Sequence, residues 1–422
     1  MEVNIPRGTY DVIPGEVELW QYMEDKAREL ARRYRYDEIR TPMFEHTELF
    51  QRGVGETTDI VQKEMYTFKD RSDRSLTLRP EGTASVVRAF IDHKLYGQPQ
   101  QPTKLYYIGP MFRYERPQKG RMRQFSQFGI EAFGSVDPAM DAEVIAMAAD
   151  FCRELGLRQV KPVINSLGDS QSRKMHREAL IAHFKPRIDE FCEDCRTRLE
   201  RNPLRILDCK EDGGHELMAT APSILDYLNE ESEQFFETLK RYLSEMGIEY
   251  LVDPTLVRGL DYYNHTAFEM VSEAGQLGAI KTIGGGGRYN GLVEEIGGPE
   301  TPGIGFGLGL DRMLLAMEAE GISLSVERSL DCYLVTIGDK AKEKAPALLY
   351  ELRRAGLSAD KDYLQKKVKG QFKGADRANA KFVAVLGDDE LEAGKINVKD
   401  LATGQQQQIE LHELVQYLKQ KI

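Results

Sequence analysis

The sequence predicts an α+β chain: an antiparallel sheet flanked by helices, a helical insertion within it, and a small C-terminal α/β domain. Three features carry that reading. Two extended runs, 104–116 and 123–134, are separated by six residues that include Pro117 and Gly120, which makes a hairpin with a loop instead of a two-residue turn. Residues 171–249 are strongly charged with a mostly helical pattern. From residue 331 onward, apolar strand-like runs alternate with helical ones, the signature of a partly parallel sheet. The boundaries expected are 1–170 and 250–325 for the sheet domain, 171–249 for the insertion and 328–422 for the last domain, with a linker near 320–330.

The elements follow in order. EVELWQYMEDKARELARRY (16–34) places Leu19, Trp20, Met23, Ala27, Leu30, Ala31 and Tyr34 on one stripe, as an amphipathic helix does. Glu24–Arg28 and Glu29–Arg33 are i,i+4 pairs on its wet side. In YDEIRTPMFEHTELF (36–50), Pro42 favours extended chain before it. The hairpin comes next, then the insertion. TLVRGLDYYNHTAFEMV (255–271) reads as strand and is followed by the glycine cluster IGGGGRYNGL. GIGFGLGLDRMLLAMEAEG (303–321) passes from a glycine-alternating strand into a helix. In the last domain DCYLVTIG is a strand. KAKEKAPALLYELRRAG is a helix whose Pro346 is expected in the first turn, where proline is tolerated. LSADKDYL and KFVAVLG are further strands around a basic helix, KKVKGQFKGADRANA.

Composition narrows the function. The 422 residues carry a net charge of −11, 41% hydrophobic and 30% charged residues. That is an ordinary globular balance and argues against wholesale coating of nucleic acid. Charge is uneven: residues 331–422 hold 16 Lys+Arg against 14 Asp+Glu, leaving 41 against 54 elsewhere. A separate partner for the last domain is the expectation. No apolar run reaches the length of a membrane span, MEVNIPRGTYDVIPG carries no apolar signal core, and an odd number of cysteines, five, fits a reducing compartment. A cytoplasmic protein is expected.

Against this acidity, five cations (Arg113, Arg116, Lys119, Arg121, Arg123) fall within the hairpin. Alternation puts Arg113 and Glu115 on one face of the first strand, and Arg123, Phe125, Gln127, Gly129, Glu131 and Phe133 on one face of the second. Burying such charges unpaired costs several kcal/mol each, and phenylalanines do not suit a fully solvated face. A polar ligand held by charge and stacked on a ring satisfies both; a salt-bridged outer face is the alternative. Gly303, Gly305, Gly307 and Gly309 leave one strand face bare, which invites close approach of backbone or ligand. Arg312 follows in the first turn of a helix, where an anion is favoured. No phosphate-binding glycine loop with lysine is present, so any phosphate is held by arginine forks. Arg258, beside Gly259, Tyr262 and Tyr263, is either a cation–π core feature or part of that site. Cys192-x2-Cys195-x13-Cys209, with His183 or His215 nearby, offers zinc ligands, but the spacing matches no common finger; free buried thiols and no metal are the reading adopted. Lys361, Lys366, Lys367, Lys369 and Lys373 form either a solvated helix face or a contact for phosphates.

Together these segments resemble the class II aminoacyl-tRNA synthetases, and among them the histidyl-tRNA synthetase family. YDEIRTPMFEHTELF is similar to motif 1, FRYERPQKGRMRQF to motif 2 and GIGFGLGLDRML to motif 3. LRPEGT (78–83), LVRGLDYYNHTAFE (256–269) and GGGGRYNGL (284–292) resemble the histidine-specific signatures. The resemblance spans the whole chain. It implies ligation of L-histidine to its tRNA through a histidyl-adenylate, with ATP as substrate, Mg2+ accompanying it, and a homodimer formed through motif 1. It implies Arg113, Arg258 and Arg312 as the catalytic cations: Arg113 and Arg258 at the α-phosphate, Arg312 at the γ-phosphate. Phe125 would stack on adenine, and Glu115 and Arg121 would help to hold ATP. Glu81, Gly82, Thr83, Gln127, Glu131, Tyr262 and Tyr263, with Arg113 and Arg258, would line the histidine pocket. Gln118 and Lys119 would meet the tRNA acceptor end, and the last domain would bind the anticodon. The alternative is an inactive regulatory relative in histidine biosynthesis; such proteins generally lose the ATP-site arginines and the last domain, both present here.

Overall fold

The structure, a computed structural model, describes residues 3–55, 58–209, 211–275, 281–323 and 329–422. The expected linker falls partly on residues outside these. The chain divides into two units, Met1–Leu324 and Ser325–Ile422.

The first unit is organised on an eight-stranded sheet. From one edge to the other the strands are Asp37–Glu38, Thr103–Phe112, Gln124–Phe133, Gly303–Gly309, Thr282–Arg288, Asn264–Ser272, Val160–Ser166 and Leu251–Val252. The six inner strands are antiparallel; each short edge strand runs parallel to its neighbour. Helix Val17–Arg33 lays the expected stripe on this sheet: Met23, Ala27, Leu30 and Ala31 are fully buried. Helices Pro138–Glu154 and Glu230–Glu245 share the same core, contributing Val144, Met147, Phe151, Phe236 and Leu239. Arg28 bonds Glu24 at 2.9 Å as expected, but Arg33 turns to Glu154 and Glu29 to Lys26. The second i,i+4 pair loses to partners of equal chemistry at better-placed positions.

Two strand expectations are revised. The hairpin strands end at Phe112 and begin at Gln124, so Arg113, Glu115 and Arg123 lie on the loop. Backbone partners from elsewhere explain this: Arg123 N–H donates to the Gly8 carbonyl and Tyr114 N–H to that of Glu64. Residues 255–263 are not strand. Tyr262 and Tyr263 are both buried and both point into one region, which strand alternation forbids.

The insertion begins with helix Ser170–Phe184. It has a small core of its own, in which Leu180, Phe184, Phe191, Cys195, Leu199, Ile206 and Cys209 are buried.

In the second unit, strand Leu330–Ile337 runs parallel to both Ala359–Lys361 and Ala380–Gly387, and Lys395–Asp400 and Gln406–Glu410 extend the sheet antiparallel. Pro346 sits inside helix Asp339–Arg354, not in its first turn. The proline is exposed, while Ala341, Ala345, Leu348, Leu349 and Leu352 are buried. The carbonyl four residues back, on Lys342, which the proline leaves without its helical partner, is on the exposed face, open to solvent.

Candidate active site

The floor of the site is set by sheet register. Pairing places Tyr107, Gly129, Gly307, Gly285 and Glu269 in one row across five adjacent strands. Three successive strands therefore present no side chain at the same level. The next row holds Leu105, Glu131, Gly305, Gly287 and Ala267. Neighbouring side chains lie over the bare positions: a Cβ at Gly129 would fall 2.2 Å from the Tyr107 ring, at Gly305 2.1 Å from the Glu131 carboxylate, and at Gly285 2.9 Å from the Arg258 guanidinium. Over Gly307 the nearest atom stands off at 3.4 Å, on Gln127. The glycine alternation thus admits side chains at one end and leaves space at the other.

That space is a cleft of about 380 Å³ lined by Arg113, Glu115, Arg121, Phe125, Gln127, Asp208, Arg258, Glu269, Thr282, Gly284, Gly307, Gly309, Asp311 and Arg312. Three separate segments deliver its four cations: the hairpin loop, the stretch before strand Asn264–Ser272 and the helix after strand Gly303–Gly309. Arg113 is held by Nε donating to the Pro80 carbonyl at 2.8 Å, with its guanidinium 5.4 Å from the centre of the Phe125 ring. Arg121 bonds Glu115 at 3.4 Å and keeps Nε buried without a partner. Arg312 donates from Nε to the Gly120 carbonyl at 3.1 Å and from Nη1 to the Thr282 carbonyl at 2.9 Å, so it ties the hairpin loop to the sheet. Burial, then repulsion from Arg121 and Arg113, pulls its pKa down to about 10. Cations held this close are stabilised by an anion between them. Arg258 pairs with Glu269, whose other oxygen accepts from Thr282 at 2.7 Å. Burial works most strongly against the Arg258 charge, and Glu269 together with Tyr263 and Tyr262 more than restores it. Its Nε is buried and unpartnered.

One row deeper lies a buried polar cluster. Glu131 is fully buried and accepts from Thr83 Oγ1 at 2.8 Å, Tyr107 OH at 3.4 Å and Tyr289 OH at 2.5 Å. Burial pushes its carboxyl up to about 8 despite those bonds. A ligand bringing a positive charge or an N–H would draw the ionised form back. The Tyr262 and Tyr263 rings pack at 4.6 Å, and the Tyr262 hydroxyl is buried without a partner. Glu81 is buried next to Thr83: its two oxygens accept from the backbone N–H groups of Thr83 and Ala84 at 2.7 and 2.8 Å, at the start of helix Thr83–Asp92. Gly82 makes room for the Tyr107 ring, which a Cβ would meet at 2.3 Å.

The expected site residues therefore converge, apart from Gln118 and Lys119, which are exposed at the loop tip; Lys119 bonds Glu318 at 2.9 Å. Tyr107, Tyr289, Glu269 and Asp311 escaped sequence reasoning. Asp311 fixes the start of helix Leu310–Ala319 by accepting from Ser126 N–H at 2.8 Å and Tyr10 OH at 2.5 Å. Its place directly before Arg312 was the only signal. His183 and His215 do not join the cysteines: His183 Nε2 bonds the Leu217 carbonyl and His215 Nε2 bonds Glu190.

The family model for histidyl-tRNA synthetase matches residues 8–313, and an anticodon-binding-domain model matches 331–421. The chain is 65% identical to histidine–tRNA ligase of Geobacillus sp. strain WCH70 over the full length of both, and 64% identical to that of Bacillus cytotoxicus, also full length. Among solved structures it is similar to apo histidyl-tRNA synthetase of S. aureus, with 52% identity, a TM-score of 0.85, and 99% of this chain and 100% of that one covered.

Proposed function

The chain belongs to the histidyl-tRNA synthetase family and ligates histidine to its tRNA at the expense of ATP, and we propose that the cleft and the pocket behind it divide that work as follows. The observation that carries the proposal is the convergence of Arg113, Arg258 and Arg312 over a glycine floor that opens onto the Glu131 pocket. Histidine lies with its imidazole and ammonium against Glu131, Gln127, Thr83, Tyr262 and Tyr263, with Glu81 acting through the helix end it caps. Its carboxylate oxygen attacks the α-phosphorus of ATP, and pyrophosphate leaves. Arg113 and Arg258 neutralise charge building on the α-phosphate, Arg312 holds the γ-phosphate, and Phe125 stacks on adenine between Arg113 and the floor. Transfer of this kind is governed by positioning and charge more than by covalent help. The terminal ribose hydroxyl of the tRNA then attacks the histidyl carbonyl, releasing AMP. Glu115 and Glu269 are the carboxylates that would meet a Mg2+ ion accompanying the triphosphate, and it would supply further charge neutralisation. Exchange of labelled pyrophosphate into ATP tests the assignment: histidine alone among the amino acids should support it, and exchange independent of histidine would remove the pocket assignment.

Gly307 tests the floor. A methyl group there has 3.4 Å to its nearest neighbour, and glycine costs a strand roughly 0.5–1 kcal/mol relative to alanine. Gly307→Ala should keep or raise Tm while raising KM for ATP or histidine at least several-fold. Unchanged KM values would mean that no substrate rests on this row.

The second unit fits the tRNA. Lys366, Lys367, Lys369 and Lys373 lie on and before helix Val368–Arg377, beside exposed Tyr363 and Leu364, a combination of cations and apolar surface suited to phosphates and unstacked bases. Removing residues 329–422 should raise KM for tRNA by at least tenfold with little change for histidine in pyrophosphate exchange. Equal effects on both would assign that unit another role. Homodimerisation through 36–50 is supported by exposed Met43 and Phe44, the latter packed edge-to-face on exposed Phe68 at 6.3 Å. A cytoplasmic setting is supported by five free cysteines. Among the described residues no helix is long and apolar enough to cross a membrane.

A further inference from the structure

We propose that the insertion carries a structural zinc site formed by Cys192, Cys195, Cys209 and Asp212. Their four ligand atoms lie within 4.8 Å of one another. A tetrahedral zinc with Zn–S bonds of about 2.3 Å and a Zn–O bond of about 2.1 Å requires S···S near 3.8 Å and S···O near 3.6 Å. The Cys192 and Cys209 sulfurs are 3.8 Å apart, and Cys209 Sγ is 3.5 Å from Asp212 Oδ2.

Cys192, Cys195 and Cys209 are joined by neither nearby histidine: His183 and His215 are bonded elsewhere. The structure pairs two equal halves instead, Cys192-x2-Cys195 and Cys209-x2-Asp212. In each half the backbone N–H of the last residue donates to the first sulfur at 3.5 Å: Cys195 to Cys192, and Asp212 to Cys209. Each half thus fixes its first sulfur with a backbone donor, and Cys192 stands at the N-terminus of helix Glu193–Arg201. The aspartate is itself oriented, accepting from Cys192 N–H at 3.2 and 3.1 Å through its two oxygens. Binding would release the three thiol protons and leave a closed site with no open coordination position, which is a structural metal and not a catalytic one.

The setting calls for such a staple. The core of the lobe is small: of the seven residues buried in it, two are Cys195 and Cys209. Cores this small are commonly reinforced by disulfides or metals. The same segment reaches the active site. Asp208, next to Cys209, lines the cleft, and Arg205 Nη1 donates to the Arg258 carbonyl at 2.9 Å. The metal would fix the lobe that buttresses Arg258 from behind.

The test is elemental analysis of the full-length protein, purified without a metal-affinity tag, together with the spectrum after cobalt exchange. About one zinc per chain is expected, with Cys209→Ser retaining less than a tenth of it. The cobalt form should show the visible bands of tetrahedral coordination and thiolate-to-cobalt charge transfer. Asp212→Cys should keep one metal and raise the charge-transfer intensity by roughly a third, because four thiolates replace three. That variant keeps the proposal testable if Cys209→Ser does not fold. Wild-type protein that takes up no zinc when supplied with it would overturn the site. A full complement of zinc in Cys209→Ser, or a Cys192–Cys209 disulfide in freshly isolated protein, would overturn it equally.

Discussion

Replacing Arg258 by alanine is expected to lower the rate of histidine-dependent pyrophosphate exchange by about 10²–10⁴-fold, with the protein still folded. The physical argument runs through charge that appears during the reaction. In the ground state the Arg258 guanidinium is already satisfied at Nη1 by Glu269, while Nε is buried and unpartnered. A donor fixed in place beforehand costs no reorganisation when charge builds on the α-phosphate, and removal of one such group typically costs about 3–5 kcal/mol in the transition state. The loss should fall on kcat more than on KM for histidine, since an interaction made mainly in the transition state is the one removed. Glu269 keeps its bond from Thr282, and Arg205 bonds the backbone of residue 258, not its side chain, so the loop retains its anchors. Arg258→Lys separates charge from geometry: it restores a cation but not the planar fork, and should recover only part of the rate. Exchange in Arg258→Ala within a few-fold of the parent would remove the residue from the catalytic set.

The second large effect concerns stability. Arg288, at the end of the Thr282–Arg288 strand, and Asp141, in the first turn of helix Pro138–Glu154, are both fully buried and form a two-pronged ion pair. Arg288 Nη1 also donates to the Ser135 carbonyl at 2.7 Å. Breaking a buried pair by deleting one partner leaves an uncompensated charge and costs about 3–5 kcal/mol. Arg288→Met should therefore lower the stability of the first unit by that amount in denaturant titration. The double variant Arg288→Met/Asp141→Leu should regain most of it, because two apolar side chains of similar volume need no partners. If Arg288→Met alone is neutral, water or another group reaches Asp141 and the pair does not anchor the helix to the sheet.

What could be read in the sequence was what depends on local spacing. The stripe of helix Val17–Arg33, the hairpin, the glycine-alternating strand and the helix carrying Arg312 all follow from neighbours a few residues apart. Residue chemistry pointed to a ligand-binding or salt-bridged face on the hairpin, and the meeting of Arg113, Arg258 and Arg312 was implied by the resemblance alone. The misses depend on partners distant in sequence. The hairpin strands stop short because Gly8 and Glu64 supply the backbone bonds. Residues 255–263 leave strand geometry because Tyr262 and Tyr263 must both turn inward. The transverse row of Gly129, Gly307 and Gly285 requires three strands in register, although each glycine was visible alone. The bonds of the Glu81 carboxylate to the Thr83 and Ala84 N–H groups were likewise not visible in the sequence.

That row of glycines also sets how the enzyme can be re-engineered. The depth of the pocket is fixed by main chain, which no substitution can lower. At Gly129 and Gly285 none can raise it either, because a methyl group would run into the Tyr107 ring or the Phe268 carbonyl. Under the proposed assignment, selectivity is adjustable at the walls, which Gln127, Glu131, Thr83 and Tyr263 form. A library aimed at non-natural amino acids should vary those four positions and hold the floor constant, with Gly307 as the one tile that can be raised.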